Sequence, residues 1–216
     1  MASDHYDGGV RESVSDSSDL PFSDPAFLAR LKRREHDAVE SLVRAYTRRL
    51  HNTLLGMGFD RDDAQEVVQQ VWVTFYEKAP SFEGRSHVRT YLYGILYHKA
   101  RERGRMRTYD PFDESVERRV DSRFNGEGGW SSPPMAPERF ALLAERMDIL
   151  ERCMEGLGDA QRAAFVMKEH DGLDSGDICN ALGVTLTHLR VLLFRARNRL
   201  RECIEARDAD AGEAKP

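Results

Sequence analysis

The stretch "GVTLTHLRVLLFRARNRLRE" (residues 183–202) decides the fold. Leu186, Leu189, Leu193, Ala196, Leu200 and Cys203 recur at helical spacing and define one inward face. Thr185 stands at the N-cap position and Gly183 supplies a turn before it. Five arginines lie in the same run, although the whole chain carries a net charge of −5. Arg190, Arg197 and Arg201 border the apolar stripe on one side, Arg195 and Arg199 on the other. Thr187, Val191, Phe194 and Asn198 are predicted opposite the core. Just upstream, "DSGDICNAL" (residues 174–182) reads as a short helix with Asp174 as N-cap and Asp177 three residues on. A short helix, a glycine turn and a long basic helix form a helix-turn-helix pattern. The open face of such a helix enters a groove while its basic rims grip phosphates. Arg-rich amphipathic helices also serve as solvated faces or coiled-coil partners. Val191 and Phe194 suit contact with thymine methyls, or packing on a partner protein.

Working outward, Phe140, Leu143, Met147, Leu150, Met154 and Leu157 mark a helix that opens this unit near residue 138. "DAQRAAFVMKEHDG" (residues 159–172) gives a second, shorter helix. Residues 108–137 lose periodicity and are rich in Gly, Ser and Pro, the composition of a flexible linker. A structureless segment of that length implies function or disorder. The unit is bounded at 138–207, with 208–216 a tail.

The N-terminal half repeats the helical pattern. Residues 1–23 are acidic, Ser-rich and aperiodic, and are expected to be a disordered arm. Asp24 and Pro25 read as an N-cap and first helical residue. Val39, Leu42, Val43, Tyr46, Leu50 and Leu54 form one stripe. Val67, Val68, Val71 and Phe75 form another, behind Asp60 as cap with Asp63 as its capping-box partner. Val88, Tyr91, Leu92, Ile95 and Leu96 form a third. No segment alternates as a strand does. The expectation is an all-α fold of about eight helices in two small bundles, residues 24–107 and 138–207, joined by the linker.

Several classes are set aside. Charge interrupts every apolar run before it reaches bilayer length. No basic-then-apolar leader opens the sequence, so a cytoplasmic location is expected. Cys153, Cys179 and Cys203 are odd in number and widely spaced, which suits a reducing compartment better than a disulfide framework. The seven histidines and three cysteines show no ligand spacing, so no metal or other cofactor is expected. Neither a phosphate-binding glycine loop nor a nucleophile–base pair is present, and no catalysis is expected.

The segment "DDAQEVVQQVWVTFYEKAPSFEGRSHVRTYLYGILYHKARERGR" (residues 62–105) resembles region 2 of bacterial sigma factors of the extracytoplasmic-function (ECF) group. The resemblance rests on Asp63-Ala64-Gln65-Glu66-Val67-Val68-Gln69-Gln70-Val71-Trp72, on Phe82-Glu83-Gly84, and on Arg89-Thr90-Tyr91-Leu92-Tyr93. Residues 159–203 resemble region 4 of the same sigma-70 family. The resemblance implies binding to core RNA polymerase, promoter recognition and help in melting. Asp63, Glu66, Gln69, Gln70 and Val73 would then face the clamp of the largest polymerase subunit. Phe82, Glu83, Gly84, Arg85, Ser86 and His87 would hold a flipped base. Arg89, Tyr93, Tyr97, His98 and Arg101 would meet the −10 element. Thr185, Thr187, His188, Arg190, Val191, Phe194, Arg195 and Arg199 would read the −35 element. Aromatics interleaved with cations suit unpaired bases, although Tyr91, on the apolar stripe, is assigned to the core. The acidic linker would run toward the RNA exit path. A small anti-sigma partner is implied as well.

Departures from the family pattern also count. Gln65 and Gln70 replace acids, and Leu192 and Phe194 replace polar or basic residues of the recognition helix. Promoter sequence is not carried over. A conventional helix-turn-helix regulator and a sigma-like adaptor that no longer reads DNA are the competing readings, the second supported by Leu192 and Phe194.

Overall fold

The computed structural model describes residues 20–103 and 147–213. The expected linker, most of the acidic arm, Phe140 and Leu143 lie outside the described residues. Among these are eight α-helices and no strand: α1 (Pro25–Lys32), α2 (His36–Gly56), α3 (Arg61–Lys78), α4 (Val88–Glu102), α5 (Met147–Glu155), α6 (Asp159–Phe165), α7 (Ser175–Leu182) and α8 (Leu186–Glu213). A π turn, Val166–His170, extends α6. The all-α expectation holds. No single described helix is long and apolar enough to cross a membrane.

The local signals act where the sequence puts them. Asp24 Oδ2 accepts from the Phe27 amide at 3.3 Å, Asp60 Oδ1 from the Asp63 amide at 2.8 Å, and Asp174 Oδ1 from the Asp177 amide at 2.7 Å. Each carboxylate satisfies an amide that has no partner within its own helix. Thr185 Oγ1 accepts from the His188 amide at 3.2 Å and starts α8. Gly183 ends α7 in the left-handed region at φ +68°, where a side chain would be strained.

The arm ends sooner than its composition indicated. Leu20–Ser23 forms a 3-10 turn, and Phe22 is buried, its ring 5.2 Å from Phe27 and 5.6 Å from Tyr46. A single aromatic docked between α1 and α2 recovers enough apolar burial to order the turn.

The α1–α2 connection is tied to the far end of α3. Arg34 adopts φ +57°, its guanidinium donates to the carbonyls of Tyr76 and Glu77 at 2.9 Å each, and it stacks 4.8 Å from the Tyr76 ring. A cation at the last carbonyls of a helix satisfies acceptors that the helix leaves open.

Helix α4 is buried on several sides, including Val88, Leu92, Tyr93, Leu96, Tyr97 and Ala100. A helix buried on several faces for most of its length belongs near the centre of a molecule, and only its C-terminal turn, with His98 and Arg101, reaches solvent. Within the first bundle, α1–α4, helices α2 and α3 cover one side of it, and α7 covers another. One continuous core runs from Leu42, Phe75 and Leu92 through Met167 and Ile178 to Leu189. The two bundles are thus packed on each other. Gly94 of α4 lies where an added Cβ would be 3.9 Å from the Ala181 Cα, so the backbones of α4 and α7 approach closely. Arg162 Nε donates to the Gly56 carbonyl at 2.7 Å across the same boundary.

The cysteine expectation is corrected. Cys153 of α5 and Cys203 of α8 form a disulfide, and Cys179 is free. The pair is 50 residues apart in sequence, but α5 packs along α8 and brings both sulfurs into a second core cluster with Met154, Phe165 and Leu200.

Candidate nucleic-acid interface

Helix α8 is enclosed by α5, α6 and α7. Three packing partners bury more than one face of it. Leu189, Leu192, Leu193, Ala196 and Leu200 are all core, whereas Leu186, assigned to the inward stripe, is exposed. Val191 is 3% exposed, which removes it from the predicted −35 face. The burial of Leu192 explains its apolar character by packing and takes away half of the motive for the adaptor reading. Thr187, His188, Arg190, Phe194 and Arg195 are half-buried, and Thr185 and Arg199 exposed. Arg199 Nη1 donates to Gln161 Oε1 at 3.1 Å, and Arg197 pairs with Glu169 at 2.5 Å, so the rim cations are pre-positioned by α6 and its π turn.

The candidate −10 residues divide. Glu83, Gly84, Arg85, His98 and Arg101 are exposed, Ser86 half-buried. Arg85 pairs with Glu83. Phe82 is buried, its ring 4.9 Å from Tyr91, so it packs in this arrangement instead of offering a stacking surface. Tyr91 is partly buried against the core, as assigned. His87 is spent as the N-cap of α4, its Nδ1 accepting from the Arg89 amide at 3.0 Å. Tyr93 and Tyr97 are 1% and 8% exposed, which corrects their assignment to an open DNA face. Burial pushes both hydroxyls up, Tyr93 above the usual tyrosine range. The physical cause is packing from other elements: Tyr93 meets Thr53 of α2 and shares a pocket with Asp171 of the α6–α7 connection, and Tyr97 lies within the field of Asp159 at the start of α6.

A polar network sits at that boundary. Thr53 Oγ1 lies 2.9 Å from Asp171 Oδ2 and 3.5 Å from the Tyr93 hydroxyl. His170 Nδ1 is 2.8 Å from Asp171 Oδ1. Arg89 Nη2 lies 3.8 Å from Asp177 Oδ2, both side chains largely buried. Sequence reading missed Thr53, Asp171 and Asp177 as a set, because nothing in the local pattern pairs residues more than a hundred positions apart.

On the outer surface of α3, Glu66 and Gln69 are exposed, Gln70 is half-buried, and Val73 and Tyr76 are 59% and 47% exposed. Tyr76 was missed, though its spacing of three from Val73 extends the same face. Asp63 is the exception among the predicted docking residues. It is 9% exposed, and Oδ1 accepts from Arg103 Nε and Nη2 at 3.0 and 2.7 Å. Its charge is turned inward because an arginine at the end of α4 needs it. Glu66 pairs with the same guanidinium at 2.5 Å, which holds its carboxyl below the usual range. No group of three or more His, Cys, Asp or Glu side chains among the described residues is arranged to hold a metal ion.

Residues 42–108 match the family description Sigma-70 region 2, and residues 147–200 match Sigma-70, region 4. Together they span more than half of the chain, in family order. The chain belongs to the sigma-70 family. Among family relatives, it is 25% identical over 182 residues to the RNA polymerase sigma-H factor of Pseudomonas aeruginosa, covering 84% of this chain and 94% of that one. It is 26% identical over 175 residues to the ECF RNA polymerase sigma-E factor of Escherichia coli, covering 81% and 91%. The fold is similar to CnrH solved with the cytosolic domain of CnrY (TM-score 0.61, 18% identity, 85% of this chain and 98% of that chain). It is also similar to the sigma factor RpoE solved with the anti-sigma factor NepR from Bartonella quintana (TM-score 0.54, 20% identity, 77% and 96%). The region 2 match falls on α2–α4 and the region 4 match on α5–α8.

Proposed function

We propose that the chain is an ECF sigma factor that binds core RNA polymerase through α3, contacts promoter −10 and −35 elements through the α4 end and α8, and is held off by an anti-sigma partner. The observation that carries this reading is the pair of family regions in order, each supplying its own surface. The Glu66–Gln70–Val73–Tyr76 face of α3 is open for a protein partner. The Thr187–Arg190–Phe194–Arg195 face of α8 combines donors, cations and one aromatic for a DNA groove. In this reading the chain contributes binding and melting and supplies no chemistry of its own, and it works in the cytoplasm with the polymerase.

Opening must precede promoter contact. Tyr93, Tyr97 and Arg89 are covered by the second bundle, so binding both elements requires the bundles to separate. A single-chain inhibitor that favours the packed arrangement would suffice, since a ligand shifts such an equilibrium by its difference in affinity for the two states. Reconstitution with core polymerase on the chain's own upstream region tests the reading. Initiation that depends on both core and this chain is expected. Duplex binding without initiation would instead mark a helix-turn-helix regulator.

A further inference from the structure

The boundary between the bundles encloses a pocket of about 350 Å³. The first bundle supplies Arg49, Arg89, Tyr93 and Asn52 to it, and the second supplies Glu169, His170 and Asp171. The two contributions differ in sign. On one side are two guanidiniums, a buried tyrosine hydroxyl and, next to it, the Thr53 hydroxyl. The other side brings the carboxylates of Glu169 and Asp171, the latter's side chain 4% exposed, and beside the pocket Asp177 of the first α7 turn faces Arg89 at 3.8 Å.

We infer that the Arg49–Arg89–Tyr93–Thr53 cluster is a binding site for a DNA phosphodiester, and that Asp171, seconded by Asp177, occupies it as an internal substitute in the packed arrangement. This inference rests on the sigma-factor reading and deepens it. Guanidiniums and hydroxyls gathered at one pocket form a donor set for a tetrahedral anion. Carboxylates on a connection and the helix turn after it present oxygens to such donors much as successive phosphates do. The substitute is displaceable for a physical reason. Burial pushes the Asp171 carboxyl up, so it holds its charge at a cost. A phosphodiester stays ionised throughout and brings several charges along one strand. Separation of the bundles and occupation of this site by DNA are then mutually reinforcing, and the loop between α6 and α7 competes with promoter DNA for one surface.

The full-length protein is titrated with a short labelled single strand and with the matching duplex at several salt concentrations. The variants are Asp171→Ala, Asp171→Asn, and Asp171→Ala combined with Arg49→Gln and Arg89→Gln. Asp171→Ala is expected to bind DNA about tenfold tighter, with a salt slope steeper by about 0.7 per phosphate gained on the single strand. Loss of the two arginines removes that gain. The single-strand and duplex arms show which form of the phosphodiester the site takes. Should Asp171→Ala fold poorly, Gly94→Leu, meant to open the bundles by another route, carries the same comparison, while Asp171→Asn, a mimic of the neutral carboxyl, is expected to show no gain. A gain that survives loss of both arginines overturns the assignment. So does unchanged DNA binding by a variant whose bundles are shown by cross-linking to have separated, which leaves an acidic protein segment as the natural occupant. Run-off transcription with core polymerase separates the two readings: a wild-type chain that initiates while no variant gains DNA affinity loses only the phosphate site.

Discussion

Arg103, the residue that follows α4, clasps Asp63 in the first turn of α3 through Nε and Nη2 at 3.0 and 2.7 Å, and reaches Glu66 with its remaining nitrogen. One guanidinium thereby joins the helix proposed to meet polymerase to the helix proposed to meet the −10 element. Its replacement has a signature in titration. Glu66 is depressed below 4.5 mainly by its hydrogen bond to Arg103. A depressed carboxylate contributes stability above its unfolded value and loses it as pH falls through the folded one. In Arg103→Gln the Glu66 titration, followed by NMR, is expected to rise toward 4.5, and the acid limb of stability to flatten.

Docking on polymerase is best probed away from that clasp. Glu66→Lys would place a cation against Arg103 and disturb α3–α4 along with the surface. Val73→Asp alters an exposed position with no such partner among the contacts of α3. Its stability is expected to change by no more than about half a kcal/mol, while retention of core polymerase in a pull-down falls sharply. Full retention by folded Val73→Asp would remove α3 as the docking face.

The disulfide makes a separate prediction. It closes a loop of 50 residues between α5 and α8. Loop-closure entropy for that length amounts to about 4 kcal/mol. Cys203→Ser, or full reduction, is expected to lower the urea midpoint of the second bundle by a correspondingly large step and to leave the first bundle's transition nearly in place. Coincident midpoints for oxidised and reduced protein would show that the α5–α8 packing needs no covalent tie.

Gly94 tests the packed arrangement directly. An alanine Cβ meets only ordinary contact, 3.9 Å from the Ala181 Cα, and adds helix propensity of about 1 kcal/mol. A leucine adds three further carbons beyond that Cβ at the α4–α7 contact. Gly94→Ala should stay compact, and Gly94→Leu should elute earlier on gel filtration with faster proteolysis between the bundles.

Asp171 gives the arrangement a pH dependence of definite sign. Its carboxyl is raised from 3.8 by burial, against hydrogen bonds from His170, Thr53 and Tyr93 that lower it. A raised group contributes stability that is present below its unfolded value and lost as pH rises through the folded one. Bundle separation, read by cross-linking, is expected to increase as pH climbs above about 4, with Arg49, Arg89, Glu169 and His170 as the other charged groups facing the pocket. Asp171→Asn should abolish that step.

Much of this was legible in the sequence because it is local. Asp24, Asp60, Asp174, Thr185 and Gly183 act within a turn of where they stand, and a helical stripe is recorded at i, i+3 and i+4. Two regions matched their family because their order and spacing are linear properties. Packing between the bundles is not. Tyr93 and Tyr97 look like a nucleic-acid surface since the α4 pattern leaves them off the inward stripe, and only packing from elements distant in sequence covers them. Val191 was placed outside by a wheel with one core face, while α8 has three neighbours. Cys153 and Cys203 looked unpaired because spacing along the chain says nothing about two helices laid side by side.

Arg34 adds a dimension to the first bundle. Its guanidinium supplies the partners for the carbonyls of Tyr76 and Glu77, 42 and 43 positions later. The connection between α1 and α2 thereby meters where α3 stops. Residues 82–87 begin within a few positions of that stop, so the distance they extend from the bundle is a built length, set by a side chain anchored on the opposite connection. The base of that loop is thereby fastened, through Arg34, to the turn that ends α1.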